Sequence, residues 1–424
     1  MNCFSACNTW LLRVAPALAL LGVAACGVSD SESADRDNER EYSIHYTLTP
    51  DPASATVKVE LRLRQPRGLL RELSFPDSDS ITMLGGDGDL QVFDERVHWQ
   101  PPARGGTLMW RAAVDSKRGD GTFDALLTPG WGVFRMEDVI PRARSRTIKG
   151  AQSRTTLSFD LPPGWSAVTE YREADGKILV DRAGRRFDEP AGWLAIGKLG
   201  IRRETIAGVR VTVAAPKNQG VRRMDMLALL NWTLPELISV LPDALPRLTI
   251  IAAGEPMWRG GLSGPASFFI HAERPLISEN ATSALLHEVM HTALSIRPRT
   301  GYDWIAEGLA EYYSIELLRR GRAITAKRAS SAFAEQAAWA EGAGDLCAEH
   351  STAETTALAV TIFKALNQEL DKSTGGEESL DSLLPLIVDS EVDLASLIQT
   401  AEQVTGKTPD TLHIDKLPGC RNMP

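Results

Sequence analysis

His287-Glu288-Val289-Met290-His291 decides how the rest of this chain is read. Positions i and i+4 of a helix lie on one face, so two imidazoles at this spacing can hold one metal ion while Glu288 projects beside them. Leu285, Leu286, Val289 and Leu294 supply the apolar side that buries such a helix. The plainer reading is two core histidines satisfied by hydrogen bonds. Thirteen positions after His291 begins Trp304-Ile305-Ala306-Glu307-Gly308-Leu309-Ala310-Glu311-Tyr312-Tyr313, again with a helical pattern, which puts Glu307 sixteen positions after His291. A glutamate from this second helix completes a set of two histidines and one carboxylate with one open position, the arrangement of catalytic zinc. Glu307 and Glu311 share a face, so one carboxylate can ligate Zn2+ while the other accepts the outer ring N–H of a ligand histidine. Glu311 also reads as an ordinary solvated helix charge.

Around these segments the texture is helical. After Pro216 the pattern predicts a helix from Arg222 to Leu241, an apolar strand from Leu248 to Ala253, a strand from Ala266 to Ile270, and helices from Ser278 to Ile296 and Asp303 to Arg320. Thr355 to Leu370, Ser379 to Val388 and Leu394 to Val404 are further helices, punctuated by Gly375-Gly376 and Gly406. From Tyr42 to about Ala214 the signal is β instead. Val57, Val59, Leu61 and Leu63 alternate with Lys58, Glu60, Arg62 and Arg64, and Val209, Val211 and Val213 repeat the pattern. Gly85-Gly86-Asp87-Gly88-Asp89 and Pro101-Pro102 are turns between short strands; Asp87 and Asp89 lack the remaining ligands of a calcium loop. The fold class expected is α+β and multidomain: an antiparallel β-sandwich over 42–215, an α+β domain carrying the histidines over 216–330, and a helical region over 331–424.

The 424 residues are 43% hydrophobic and 24% charged, a globular balance long enough for two or three domains. With 46 basic and 55 acidic residues the net charge is −9, so a polyanion meets net repulsion and nucleic-acid binding is excluded. Five cysteines without a CxxC pair exclude a cysteine-based zinc ribbon. Residues 1–25 read as an export signal: Arg13 precedes an apolar stretch from Val14 to Ala25 that is too short to span a bilayer. Val23-Ala24-Ala25-Cys26 resembles a bacterial lipobox, which implies acylation of Cys26, a membrane partner through the lipid anchor and, with Gly27 next, the outer membrane of the cell envelope. The alternative is an ordinary secretory signal cut near the same alanines. Residues 26–41 are a polar tether. Cys347 and Cys420 are the only cysteines of the folded part, and an even pair in an exported chain favours a structural disulfide over two separate thiols.

The two zinc segments resemble those of the gluzincin metallopeptidases, which write HExxH followed by W-[LIV]-x-E-G-[FL]. Among them the glycyl aminopeptidase family is most similar, with its N-terminal β domain, thermolysin-like catalytic domain and helical tail containing a stretch like Thr374-Gly375-Gly376-Glu377-Glu378-Ser379-Leu380-Asp381. The resemblance implies that His287, His291 and Glu307 bind Zn2+ and that Glu288 is the general base in hydrolysis of a peptide or protein substrate. It also marks three departures. The segment between His291 and Glu307 is shorter than in relatives. Gly260-Gly261-Leu262-Ser263-Gly264 stands where relatives have a Gly-rich edge strand, so Gly261, Leu262 and Ser263 are expected to bind substrate, but Ser263 replaces the carboxylate that holds a free amino terminus. No tyrosine follows Tyr313 to stabilise the oxyanion; His350 either takes that role or is an exposed loop residue. The expected activity is endopeptidase rather than aminopeptidase, and the alternative is a catalytically weak or inactive lipoprotein that binds peptides or an envelope partner.

Overall fold

The alternation from Val57 to Leu63 is realised as a strand with those four residues buried and Lys58, Arg62 and Arg64 exposed (β2, Thr56–Arg64). The computed structural model describes residues 40–174, 176–180, 187 and 189–422, so the export signal and Cys26 lie outside the described residues. β2 pairs antiparallel with β1 (Glu41–Asp51) at the centre of a seven-stranded sheet, which packs on a four-stranded sheet through Ile44, Tyr46, Val59, Trp99 and Trp110. The sandwich is not wholly antiparallel: β1 runs parallel to Gln152–Phe159, because a long excursion through other strands, not a hairpin, joins them.

A third sheet joins this sandwich to the C-terminal half of the chain. Its central strands are β3 (Trp131–Arg135) and β4 (Trp193–Gly197). Successive residues of a strand point to opposite faces. Phe134, Leu194 and Ile196 therefore enter the sandwich core, while Val133, Trp193 and Ala195 enter a second core with Ala214, Ile251 and Phe269. All five residues of β4 are buried, as a layer covered on both sides requires.

That second core is shared with a mixed five-stranded sheet. Its order is β5 (Leu199–Ile206), β6 (Val209–Pro216), β7 (Arg247–Ala253), β9 (Ser267–His271) and β8 (Gly261–Gly264), with β6, β7 and β9 parallel and β8 antiparallel at the edge. The sheet crosses the expected boundary at 215 and 216: β5 and β6 are sequence neighbours of the sandwich, but β6 pairs with β7 and β5 with β6. The boundary at 330 and 331 falls inside a helix, and residues 41–424 form one compact unit.

The helices pack on the far face of this sheet. α1 (Arg223–Val240), α2 (Ala284–Leu294), α3 (Asp303–Arg320), α4 (Ala326–Ala340), α5 (Ala353–Thr374) and α6 (Leu394–Thr405) contribute to one apolar core. α2 begins at Ala284 and not at Ser278, because Ser278 and Thr282 close a turn on each other and the Ser283 hydroxyl caps the helix at Leu286 N–H, 3.2 Å away. Ser379 to Val388 breaks into a single turn and a four-residue helix with a proline in its first turn. Gly308 lets α5 close on α3: a Cβ there would lie 2.5 Å from that of Ala359. Asp381 ties the tail to α3, accepting from Tyr313 Oη and Arg320 Nη1, each at 2.7 Å. No described helix is long and apolar enough to cross a membrane.

Cys347 and Cys420 are both buried and joined by a disulfide that closes a sequence separation of 73 residues. Opening a loop of that length is expected to cost about 2–4 kcal/mol of stability. Urea denaturation of a Cys420→Ser variant should show it as a lowered midpoint with a somewhat steeper slope, since the opened chain exposes more surface when unfolded; an unchanged midpoint would mean that the bond contributes nothing to stability.

Candidate metal centre and cleft

α2 and α3 cross so that the motif histidines and Glu307 meet. His287 Nε2 lies 3.0 Å from His291 Nε2, and the Glu307 carboxylate oxygens lie 3.3 Å from each. Among the described residues these three form the one group of histidine, cysteine and acidic side chains that converges tightly enough for a metal ion. The Glu311 carboxylate sits 3.0 Å from His287 Nδ1. With that ring N–H engaged, Nε2 is the nitrogen left to ligate a metal ion, which would displace its proton. Glu311 is itself held by the Ser314 hydroxyl and Gln336 Nε2, the latter from α4.

The electrostatics favour a cation at this point. Burial pulls His287 down, but hydrogen bonds to Glu307 and Glu311 outweigh it and hold the imidazole at about 10. Burial pushes Glu307 up, yet its hydrogen bonds to the two histidines bring it far below the usual carboxylate range. Facing imidazole nitrogens repel unless a proton or a metal ion lies among them, and two nitrogens with one carboxylate oxygen are donors that Zn2+ accepts. The residues fit the ion. Glu311→Gln is expected to keep the fold but weaken zinc binding about 10–100-fold, since the ring then loses its charged anchor. Competition against a chelator of known affinity measures this, and wild-type affinity would reduce Glu311 to a bystander.

Glu288 occupies the adjacent position. It is buried, and that burial raises its pKa above the ordinary range. Its carboxylate abuts the edge strand: a Cβ on Gly261 would lie 2.6 Å from Oε1. His271 N–H donates to Gly260 O, which turns the peptide groups of residues 260, 262 and 264 towards β9 and leaves those of Gly261 and Ser263 facing outward. The β region holds this edge in place, with the Trp193 indole donating to Leu262 O at 2.8 Å and Trp193 N–H to Ser267 Oγ at 2.9 Å.

Together these groups line an open cleft of about 590 Å³. Gly261, Leu262, Ser263, His287, Glu288, His291, Glu307 and Glu311 are all part of it, as sequence reasoning places them. His350 is not: it is exposed, in the loop before α5, and only its neighbour Ser351 reaches the cleft wall, donating to Asp303 Oδ2 at 2.9 Å. Glu255 and Glu273 also lie outside the cleft, exposed and paired with Arg259. Arg135, Trp258, Arg274 and Asp303 line it without having been marked in the sequence. They come from a strand, two loops and the first turn of α3, with no local motif, so only the tertiary fold assembles them. Gln336 was missed for a different reason: its helix does carry a signal, with Ala329, Ala332, Phe333 and Gln336 buried at helical spacing.

No known protein family and no curated protein matches the chain by sequence. The fold is similar to that of an aminopeptidase N family protein from Idiomarina loihiensis, with a TM-score of 0.63 and 16% identity over 87% of this chain and 72% of that one. It is also similar to an M1 zinc metallopeptidase from Deinococcus radiodurans, with a TM-score of 0.56 and 16% identity over 91% of this chain and 95% of that one. The chain thus has an M1 metallopeptidase-like fold.

Proposed function

We propose that this protein is a zinc-dependent peptidase of the cell envelope, anchored through an acylated Cys26, that cuts within peptide or protein chains. One observation carries the reading: His287, His291 and Glu307 converge beside a buried Glu288 that touches the free edge of a sheet. Zinc bound there would polarise the scissile carbonyl and make water a nucleophile at neutral pH. The outward N–H and C=O groups of Gly261 and Ser263 receive the peptide as an added strand, laying it next to Glu288. Glu288 takes the proton of the attacking water and delivers it to the departing amine, and its raised pKa strengthens it as the base. The test is hydrolysis of unstructured peptides by purified protein, abolished by a chelator and restored by stoichiometric Zn2+.

Endopeptidase action follows from what the edge strand lacks. An aminopeptidase must hold the substrate ammonium with a carboxylate, and Ser263 offers a neutral oxygen while Glu255 and Glu273 face Arg259. N-acetylated peptides are therefore expected to be cut at least as well as free ones, read as kcat/KM by mass spectrometry of matched pairs. Strict dependence on a free amino terminus would reverse this assignment. A second reading, a peptide-binding relative without turnover, draws on the absence of tyrosine from the cleft wall among the described residues; zinc-loaded protein that binds peptides and cuts none would establish it.

A further inference from the structure

The cleft carries a positive charge where a peptide's amino-terminal side would lie. Arg135, on β3, reaches across to the edge strand, its Nη2 lying 3.5 Å from Ser263 O and its guanidinium carbon 5.1 Å from the centre of the Trp193 ring. Partly buried, it has no ion pair among the described residues. The nearby carboxylates attract it through space without closing an ion pair on it: Asp124 is bound by Arg118 at 2.7 Å, Glu137 accepts Gly192 N–H at 2.6 Å, and Asp138 and Glu288 feel its charge from beyond ion-pair distance. A guanidinium taken partly out of water, with no carboxylate in direct contact, beside a substrate-binding edge is placed to take an anion.

The strand geometry fixes which part of a substrate meets it. Gly261 marks the catalytic end of β8, because it touches Glu288, and Ser263 lies two residues further along. A peptide that adds antiparallel to β8, as β9 does on its other side, has its N-terminal residues opposite Ser263. We propose that Arg135 makes this cleft selective for peptides bearing Asp or Glu just N-terminal to the scissile bond. The carboxylate would take a forked, charge-assisted hydrogen bond from the guanidinium. This rests on the peptidase reading for the position of the scissile bond, while the recognition itself needs only binding.

The experiment separates the two. A neutral, fluorescently labelled peptide in which a single Glu is moved along the sequence is titrated, by anisotropy, against the zinc-loaded Glu288→Gln protein; wild-type digestion and mass spectrometry locate the cut. The expected result is roughly tenfold tighter binding when the Glu lies just ahead of the cut than with Gln there, weakened by salt. Arg135→Ala should erase the difference, and Arg135→Glu should transfer it to a Lys-containing peptide. Arg274→Ala, which removes the cation placed after β9 at the Gly261 end of the cleft, should leave it intact. Equal binding of the Glu and Gln peptides, a preference that survives Arg135→Ala, or a preference on the C-terminal side of the cut would each overturn the proposal. Acidic selectivity in binding without hydrolysis by wild type leaves the proposal standing and removes the peptidase reading. Hydrolysis without acidic selectivity does the reverse, and no binding at all removes both.

Discussion

Glu288→Gln is expected to retain one zinc per chain and lose about 10²–10⁴-fold in kcat, whereas His287→Ala and Glu307→Ala should lose the metal itself. The difference follows from position. His287, His291 and Glu307 present donor atoms to a common point, so removing one leaves a two-ligand site of much weaker affinity. Glu288 points instead to the edge strand and is absent from that convergent group. Glutamine keeps the shape and burial of the side chain but cannot accept a proton. The rate profile supplies a second reading: with the pKa of Glu288 raised by burial, kcat/KM should climb with pH on the acid side as the carboxylate ionises. Metal content by atomic emission, measured beside peptide hydrolysis, separates the two classes. Full zinc occupancy in both ligand variants would falsify the site.

The parts of this molecule that were legible in its sequence are those whose signal is local. The i,i+4 histidines need only a helix to meet, and α3 occupies Asp303–Arg320, the span that its apolar spacing predicts. Gly375 and Gly406 end their helices in the left-handed conformation, where a side chain is strained. What was not legible depends on distant residues. Nothing near Arg135 announces that β3 will face an edge strand 128 positions later. Val209 to Val213 alternates as any half-buried strand does, and only the pairing partner decides that it belongs with β7 and not with the sandwich. The start of α2 was misplaced because Ser278 and Thr282 spend their hydroxyls on a turn, a competition that apolar periodicity does not register.

Gly261→Ala is expected to lower kcat about 100-fold while leaving zinc content and folding nearly unchanged. An added Cβ would stand 2.6 Å from Glu288 Oε1 and 2.7 Å from its Cγ, closer than real Cβ contacts allow. One of the two must move. β8 is pinned by its pairing with β9 and by the Trp193 indole on Leu262 O, whereas Glu288 is a side chain with rotatable bonds, so the carboxylate yields. It is buried and has little room, so it leaves the position from which it serves the water and the departing amine. Proton transfer tolerates displacements of only a fraction of an ångström, which turns this shift into a loss of rate with little loss of substrate binding. The metal ligands are not displaced, because the clash involves none of them. Gly264→Ala in the same short strand is the control: its Cβ would come no nearer than 3.3 Å to any neighbour, so activity should stay close to wild type. A Gly261→Ala protein as active as that control would show that the edge strand gives way instead, and that Glu288 is not held in its working position by contact with β8.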